Sequence, residues 1–454
     1  MEIKDLVQRQ RDYFLSGATR SYDARIDALT RLEKALRASK EALTAALGQD
    51  LNKHPTESYM TEIGLVLDEI RYQKKHLRRW MKERRVKTPL SISPARSFLS
   101  PEPYGVVLIL APWNYPVQLC LSPLVGALAA GNCAVIKPSA YAPAASHAVA
   151  ALIASAFAPE QVAVVEGGRA ENAALLQEKF DYIFFTGSVA VGKVVMEAAA
   201  RHLTPLTLEL GGKSPVIVDK TANLKLAARR IAFGKTVNAG QTCVEPDYLL
   251  IDASVLDAFL EHYRAALRDF FPEGDLSAMP VIISEKHFAR VTGLLEGQKA
   301  VIGGGYDPAR RFVEPTVLVD VSPDSPIMQQ EIFGPILPVL TFTDPSWCID
   351  FICARPRPLA LYLFSEDKAL QRRVLDSCSF GGGCINDVIL HLATHHMPFG
   401  GVGESGMGQY HGRQSFETFT HRRSVLKSSS RIDLPFRYHP YTERKDKLIR
   451  KFMP

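Results

Sequence analysis

Residues 104–138, YGVVLILAPWNYPVQLCLSPLVGALAAGNCAVIKP, decide the fold. Two short apolar runs, YGVVLILAP and CAVIKP, flank a helix-compatible stretch at 117–130. Strand, helix and strand in that order predict a parallel pair covered on both faces, because a parallel crossover lays its helix on the sheet. The rhythm continues with VAVVEGG, DYIFFTG and PLTLELGG, separated by helix-compatible stretches at 141–157 and 189–202. Each of these five runs ends in Pro or Gly, where backbone can come close to a ligand. In such folds ligands bind beyond the carboxyl ends of the strands.

A second α/β region begins near 210, with strand-like PVIV, DYLLID, PTVLVD, LPVLTF and LALYLFS around helices such as 253–270. Leu224, Ala227, Ala228 and Ile231 share one face of a helix that stops near Asn238-Ala239-Gly240, just before Cys243. Upstream, residues 1–85 read as helices, with apolar positions at helical spacing in Ile26, Leu29, Leu32 and Leu36 and again in Leu43 and Leu47. The Pro- and Ser-rich stretch 86–103 suggests an exposed hairpin, and the mixed, strand-like 411–430 is a candidate to pair with it.

At 454 residues the chain exceeds one ordinary core, so two large units with smaller appendages are expected. A composition 46% hydrophobic and 22% charged is that of a globular protein and argues against extensive disorder. The formal net charge of +6 is spread along the chain. Local basic clusters at 74–85 and 444–447 read as solvated faces or anion-attracting patches, not as nucleic-acid binding. Seven cysteines without a CxxC pair argue against a disulfide framework and for a reducing compartment, hence the cytoplasm. No stretch approaches the roughly 20 apolar residues a membrane span needs, and neither terminus reads as a membrane anchor.

Cys243 lies in Asn238-Ala239-Gly240-Gln241-Thr242-Cys243, where glycine allows a tight turn and small or polar neighbours leave the thiol reachable. A free thiol with a pKa of about 8.5 is only a few per cent ionised at neutral pH, so it needs a base or a lowered pKa to act. Glu209, in Thr207-Leu208-Glu209-Leu210-Gly211-Gly212-Lys213, ends an apolar strand, where an acid is either paired or functional. Asn114 offers a side-chain amide just past another strand, although a turn-forming asparagine has the same look. Gly187-Ser188-Val189-Ala190-Val191-Gly192 joins a strand to a helix, the setting in which a helix N-terminus holds phosphate, but it is not the GxGxxG fingerprint.

Together these segments resemble the aldehyde dehydrogenase superfamily over about residues 20–430. The most specific pieces are APWNYP, GNCAVIKPS, FFTGSVAVGK, LTPLTLELGGKSP, GQTCVEPDY, QQEIFGPILPV and MPFGGVGESGMGQYHG. The spacing and short length look most like the class 3 branch, which acts on aromatic and medium- to long-chain aliphatic aldehydes. The resemblance implies an α/β fold of two doubly wound parallel-sheet domains plus a small bridging region. The cofactor-binding domain would be 1–85 and 104–208, the catalytic domain 209–397, and the bridging and oligomerisation region 86–103 and 411–430. It implies Cys243 as the nucleophile, Asn114 and the Cys243 backbone N–H as the oxyanion hole, and Glu209 as the base that activates water against the thioester.

For NAD or NADP, the same resemblance implies Trp113 and Gly211 as contacts and Lys137 at the adenine ribose. Gly187, Ser188 and Gly192 would lie near the pyrophosphate, with Glu331 and Phe333 at the nicotinamide ribose. It further implies a homodimer. Two departures stand out. After Lys137-Pro138-Ser139, NAD-preferring members usually carry a glutamate that binds both ribose hydroxyls; here the residue is Ala140, so a 2′-phosphate is not repelled and dual cofactor use is expected. Glu245 replaces a commonly small residue and is expected to touch the mouth of a substrate tunnel or to face water.

His391, His395 and His396 have the i, i+4 spacing of a helical metal pair but no HExxH, so no metal site is expected. His411 is read as support for the bridging region. Cys120, Cys133, Cys348, Cys353, Cys378 and Cys384 are read as structural. An acylating relative that passes the acyl group to phosphate or coenzyme A, and a silent scaffold of the same fold, remain as alternatives.

Overall fold

The computed structural model describes residues 2–452. The strand Val106–Leu110 is buried along its whole length, and its alternating side chains feed two different cores. Val107 and Ile109 pack with Leu29, Leu32 and Leu36 of the N-terminal helix Tyr22–Ala38, while Val106, Leu108 and Leu110 pack with Leu6, Val7 and Val195 on the opposite face. A strand buried on both sides needs apolar residues at every position, and each such side chain stabilises the fold by roughly 1.5–3 kcal/mol.

Six strands form the first sheet, in the spatial order Gly406–Met407, Leu206–Glu209, Tyr182–Thr186, Val106–Leu110, Cys133–Lys137 and Val162–Val164. All neighbours are parallel except Gly406–Met407, which closes the edge antiparallel against Leu208 and Glu209. Numbered along the chain this is the doubly wound order 3-2-1-4-5-6, whose direction reverses between Val106–Leu110 and Tyr182–Thr186. Because the strands run parallel, the segments after Leu110 and Thr186 and the ends at Lys137 and Glu209 emerge along one edge.

The second sheet has seven strands, ordered Lys299–Ile302, Thr316–Val319, Ile336–Phe342, Tyr248–Asp252, Pro215–Val218, Ala360–Phe364 and Gly382–Ile385. Only Lys299–Ile302 runs antiparallel to its neighbour. Here too the alternation divides a central strand, with Leu249 and Ile251 in one core and Tyr248 and Leu250 in another.

A third, three-stranded antiparallel sheet joins Arg84–Val86, Ala95–Pro103 and Thr420–Ser428. The long pairing of Ala95–Pro103 with Thr420–Ser428 is in register from Thr420 opposite Pro103 to Ser428 opposite Ala95. The start of 411–430 departs from the strand-like reading: Arg413–Thr418 forms a short helix that buries Ser415 and Phe416. A Cβ on Gly126 would come within 2.9 Å of the Ser415 Cβ, so the helix Gln118–Ala130 accepts this neighbour through a glycine. Among the described residues no helix is long and apolar enough to cross a membrane.

Candidate active site

The helix Leu224–Thr236 ends against a turn in which Asn238, Ala239 and Gly240 all take positive φ, of 51°, 51° and 68°. Glycine adopts this region freely and asparagine tolerates it, whereas Ala239 costs about 1–2 kcal/mol, so the surroundings must hold the turn in place. They do so through buried amides. The Asn238 amide donates to the carbonyls of Asn114 at 2.8 Å and Gln241 at 3.0 Å, and its backbone N–H donates to Glu57 at 2.8 Å. Gln241 donates to the Asn238 and Val281 carbonyls at 2.9 and 3.0 Å and accepts from the Ile283 N–H at 3.0 Å. Tyr115 and Thr242 share a hydroxyl hydrogen bond of 2.6 Å.

This lattice presents Cys243, half-buried, to a cleft of about 280 Å³ at the carboxyl edge of the first sheet. Asn114, Trp113, Gly187, Ser188, Glu209 and Gly211 line the same cleft, with Glu331 and Phe333 closing it from the side of the second sheet. One N–H of the Asn114 amide goes to the Gln241 carbonyl at 3.0 Å, which orients the group and leaves its second N–H uncommitted. Ser188 caps the helix Val189–Ala200, accepting from the Val191 N–H at 3.4 Å, so the helix starts at the cleft. Glu331 accepts from the Gly212 N–H at 3.1 Å, and a Cβ on Gly211 would lie 2.3 Å from its carboxylate. Trp113 meets Phe333 edge-on at 5.3 Å.

Two of the site residues stand apart. Lys137 lines a neighbouring cavity of about 310 Å³ with Ser139, Ala140 and Gly167, donating to the carbonyls of Pro138 and Gly167 at 2.7 and 2.6 Å. Gly192 lines neither cavity. It lies one turn into the helix, where a Cβ would approach Leu210 to 2.7 Å, so its smallness serves close packing of helix on strand end.

Glu209 is 2% exposed, and neither of its carboxylate oxygens has a hydrogen-bond partner. Burial pushes its carboxyl well above the usual carboxylate range. Burial also pushes the Cys243 thiol up, reinforced by the Glu331 and Glu209 carboxylates and opposed by the Cys243 and Val244 backbone N–H groups. Glu331, raised by burial and by Asp247, lies at about 7. The protein surroundings alone therefore favour the neutral thiol.

Glu245 corrects the sequence reading, since it reaches neither a tunnel mouth nor water. It is 2% exposed and forms a buried ion pair with Lys235 at 2.7 Å, while its other oxygen takes the Gly334 N–H at 3.4 Å. The helix Leu224–Thr236 carries Lys235 inward beside the turn, and a buried lysine must find an anion. His391 and His395 do not share a helix face, because Leu390–Ala393 is a single 3-10 turn. His391 lies near Cys384, 3.8 Å from its sulfur, whereas His395 sits between Asp68 and Glu69.

Among the cleft residues that sequence reading missed, three stand out. Thr186 brings a buried hydroxyl without a partner; His287 packs 4.8 Å from Trp113; and Arg290 donates to the carbonyls of Glu331 and Ile332 at 3.1 and 2.6 Å. The last two stand on the amphipathic helix Glu285–Gly293, whose local sequence carries no signal of a binding wall.

The family model for the aldehyde dehydrogenase family matches residues 1–425. The chain is 47% identical over 444 residues to a 4,4′-diaponeurosporen-aldehyde dehydrogenase of Staphylococcus aureus, covering 97% of this chain and 96% of the relative. It is 45% identical to a dimeric, NADP-preferring aldehyde dehydrogenase of Rattus norvegicus, covering 94% and 95%. The solved structure of the substrate-bound state of Staphylococcus aureus AldH superposes with a TM-score of 0.97 at 46% identity, over 100% of both chains.

Proposed function

The chain belongs to the aldehyde dehydrogenase family, an NAD(P)-dependent oxidoreductase that converts aldehydes to acids, and on that premise we propose that Cys243, Glu209 and Asn114 carry the reaction. The observation behind this reading is the convergence of a thiol, an oriented amide and an unpartnered buried carboxylate on one cleft. The Cys243 sulfur adds to the aldehyde carbon, and the free N–H of Asn114 with the Cys243 backbone N–H receives the charge that develops on oxygen. Glu209, whose raised pKa makes it a stronger base than an exposed carboxylate, takes a proton from the water that hydrolyses the thioester on Cys243. The acid then leaves.

The groove suits a nicotinamide dinucleotide. It offers a helix start at Gly187-Ser188 for phosphate, Glu331 for ribose hydroxyls, Lys137 in the second cavity, and the unpartnered Thr186 hydroxyl. When bound, the cofactor supplies the two-electron oxidation. The apolar walls given by Trp113, Leu119 and Phe333 favour a hydrophobic aldehyde, medium- to long-chain or aromatic. We assign residues 1–85 and 104–208 to cofactor binding, 209–397 to catalysis, and 86–103 with 411–430 to the bridge of a homodimer. Seven free cysteines suit a reducing, cytoplasmic setting.

Reduced-nicotinamide absorbance with a medium-chain aldehyde or benzaldehyde tests the assignment. Wild type is expected to form acid without coenzyme A, and Cys243→Ala is expected to be silent. Undiminished turnover in the variant, or an absolute need for coenzyme A, overturns it.

A further inference from the structure

Three of the seven cysteines gather at the ends of two helices beside the second sheet. Cys348 and Cys353 belong to the helix Pro345–Cys353, and Cys378 directly follows the helix Lys368–Ser377, which packs against it. All three are structural on the sequence reading, and burial agrees for two of them: Cys348 is 1% and Cys378 6% exposed, in the core that holds Tyr248 and Leu250. Cys353 is different. It stands in solvent at the last helical position, donates to the Ser377 carbonyl at 3.5 Å, and lies within hydrogen-bonding reach of the Cys378 thiol. Just downstream, the Gly381 and Gly382 N–H groups donate to the carbonyls of Pro358 and Leu359 at 3.1 and 3.0 Å, so the segments that follow the two helices are held to each other. The other cysteines lie apart, with Cys120 and Cys133 fully buried, Cys243 in the cleft and Cys384 beside His391.

A thiol that faces solvent with a buried thiol behind it can meet an oxidant and then resolve the product. We propose that Cys353 and Cys378 form a peroxide-reactive dithiol that closes into a reversible disulfide. The Cys353 thiolate attacks one oxygen of hydrogen peroxide; an S–O bond forms, the O–O bond breaks, and the departing hydroxide takes up the proton that Cys353 gave up. The Cys378 sulfur then attacks the sulfenic sulfur, so that S–S forms, S–O breaks, and hydroxide leaves with the Cys378 proton as water. Two thiols are oxidised to one disulfide, and one peroxide is reduced to two waters. Burial and the Cys353 thiol beside it push the Cys378 thiol up, so it stays protonated until a sulfenic acid forms next to it. Exchange with a reduced thiol reopens the bond, and a transient disulfide of this kind is compatible with a reducing compartment. Neither step uses the cleft.

Hydrogen peroxide added to the full-length protein, followed by thiol counting in denaturant and by intact mass, tests the pair without any turnover. Wild type is expected to lose two of its seven thiols and two hydrogens, and to regain both with dithiothreitol. Cys353→Ser, at an exposed position outside the core, should form no disulfide. Cys378→Ala should stop at a sulfenic acid, which dimedone captures on Cys353. Cys348→Ser should close as wild type does, and iodoacetamide should still alkylate Cys243 after closure, which sets the pair apart from the thiol of the cleft. No disulfide in wild type, one that persists in Cys353→Ser, or one that includes Cys348 or Cys243 overturns the proposal.

Discussion

A carboxylate buried without a partner costs several kcal/mol, and nothing in the packing of Leu206–Glu209 calls for an acid at its end. On the proposed reading Glu209 is the base, and its neighbours set what removing it should do. Glu209→Gln keeps the shape and removes the base, so steady-state turnover should fall by about 10²–10⁴. Thiol addition does not need that base, and a rapid-mixing experiment should still show one burst of reduced cofactor per site. The Glu209 charge is one of those that hold the Cys243 thiol up, so the pH midpoint of the burst should move down in the variant. In wild type, both groups that must lose protons are raised, and turnover should climb through neutrality into the alkaline range. Loss of the burst together with the turnover would place Glu209 at the thiol step instead.

The loop from Asn386 to Gly412 is tied to the helix Gly64–Trp80 chiefly by His395, which bonds Glu69 at 2.9 Å and Asp68 at 2.6 Å. Glu69 also receives the Gly412 N–H at 3.1 Å and the Gln73 amide at 2.8 Å, so one buried carboxylate gathers the interior and the far end of the segment. The two carboxylates raise His395 from 6.5 to about 9. A raised histidine contributes its full stabilisation below its unfolded pKa and loses it as pH rises through the folded one. Melting temperature should therefore drop for wild type relative to His395→Gln between about pH 6.5 and 9, and the two should differ little above that window. A gap that stays constant across the window would mean that the tie is not ionic.

At this scale the strands were legible and the polar ties were not. YGVVLIL and DYIFFT announce themselves because burial on both faces requires apolar residues at every position. Glu209 stood out as a polar residue at the end of such a run, and Cys243 as a thiol on a glycine turn among small and polar neighbours. Glu245 misled because its partner, Lys235, lies on the preceding helix, and only the turn at Asn238–Gly240 brings the two together. His287 and Arg290 gave no warning, since a groove wall supplied by the outside of an amphipathic helix looks like any solvated face.

For the whole molecule, the question is what covers the strand Thr420–Ser428. It lies at one edge of the three-stranded sheet, and every residue from His421 to Lys427 is exposed, with Val425 at 36% and Leu426 at 49%. A nine-residue edge with its backbone groups unpaired invites pairing with another chain, and proteins that stay monomeric blunt such edges. The second sheet also ends on a partly exposed strand, Gly382–Ile385, where Ile385 is 41% exposed. If one copy's Thr420–Ser428 lies along the other copy's Gly382–Ile385, two-fold symmetry closes both edges twice in a single isologous assembly. Wild type should then sediment as a dimer, and Leu426→Asp, which sets a charge on the edge without touching the cleft, should shift it toward monomer. Dimers of unchanged stability in Leu426→Asp would move the interface elsewhere on the surface, and a wild type that sediments as a monomer would remove the bridge altogether.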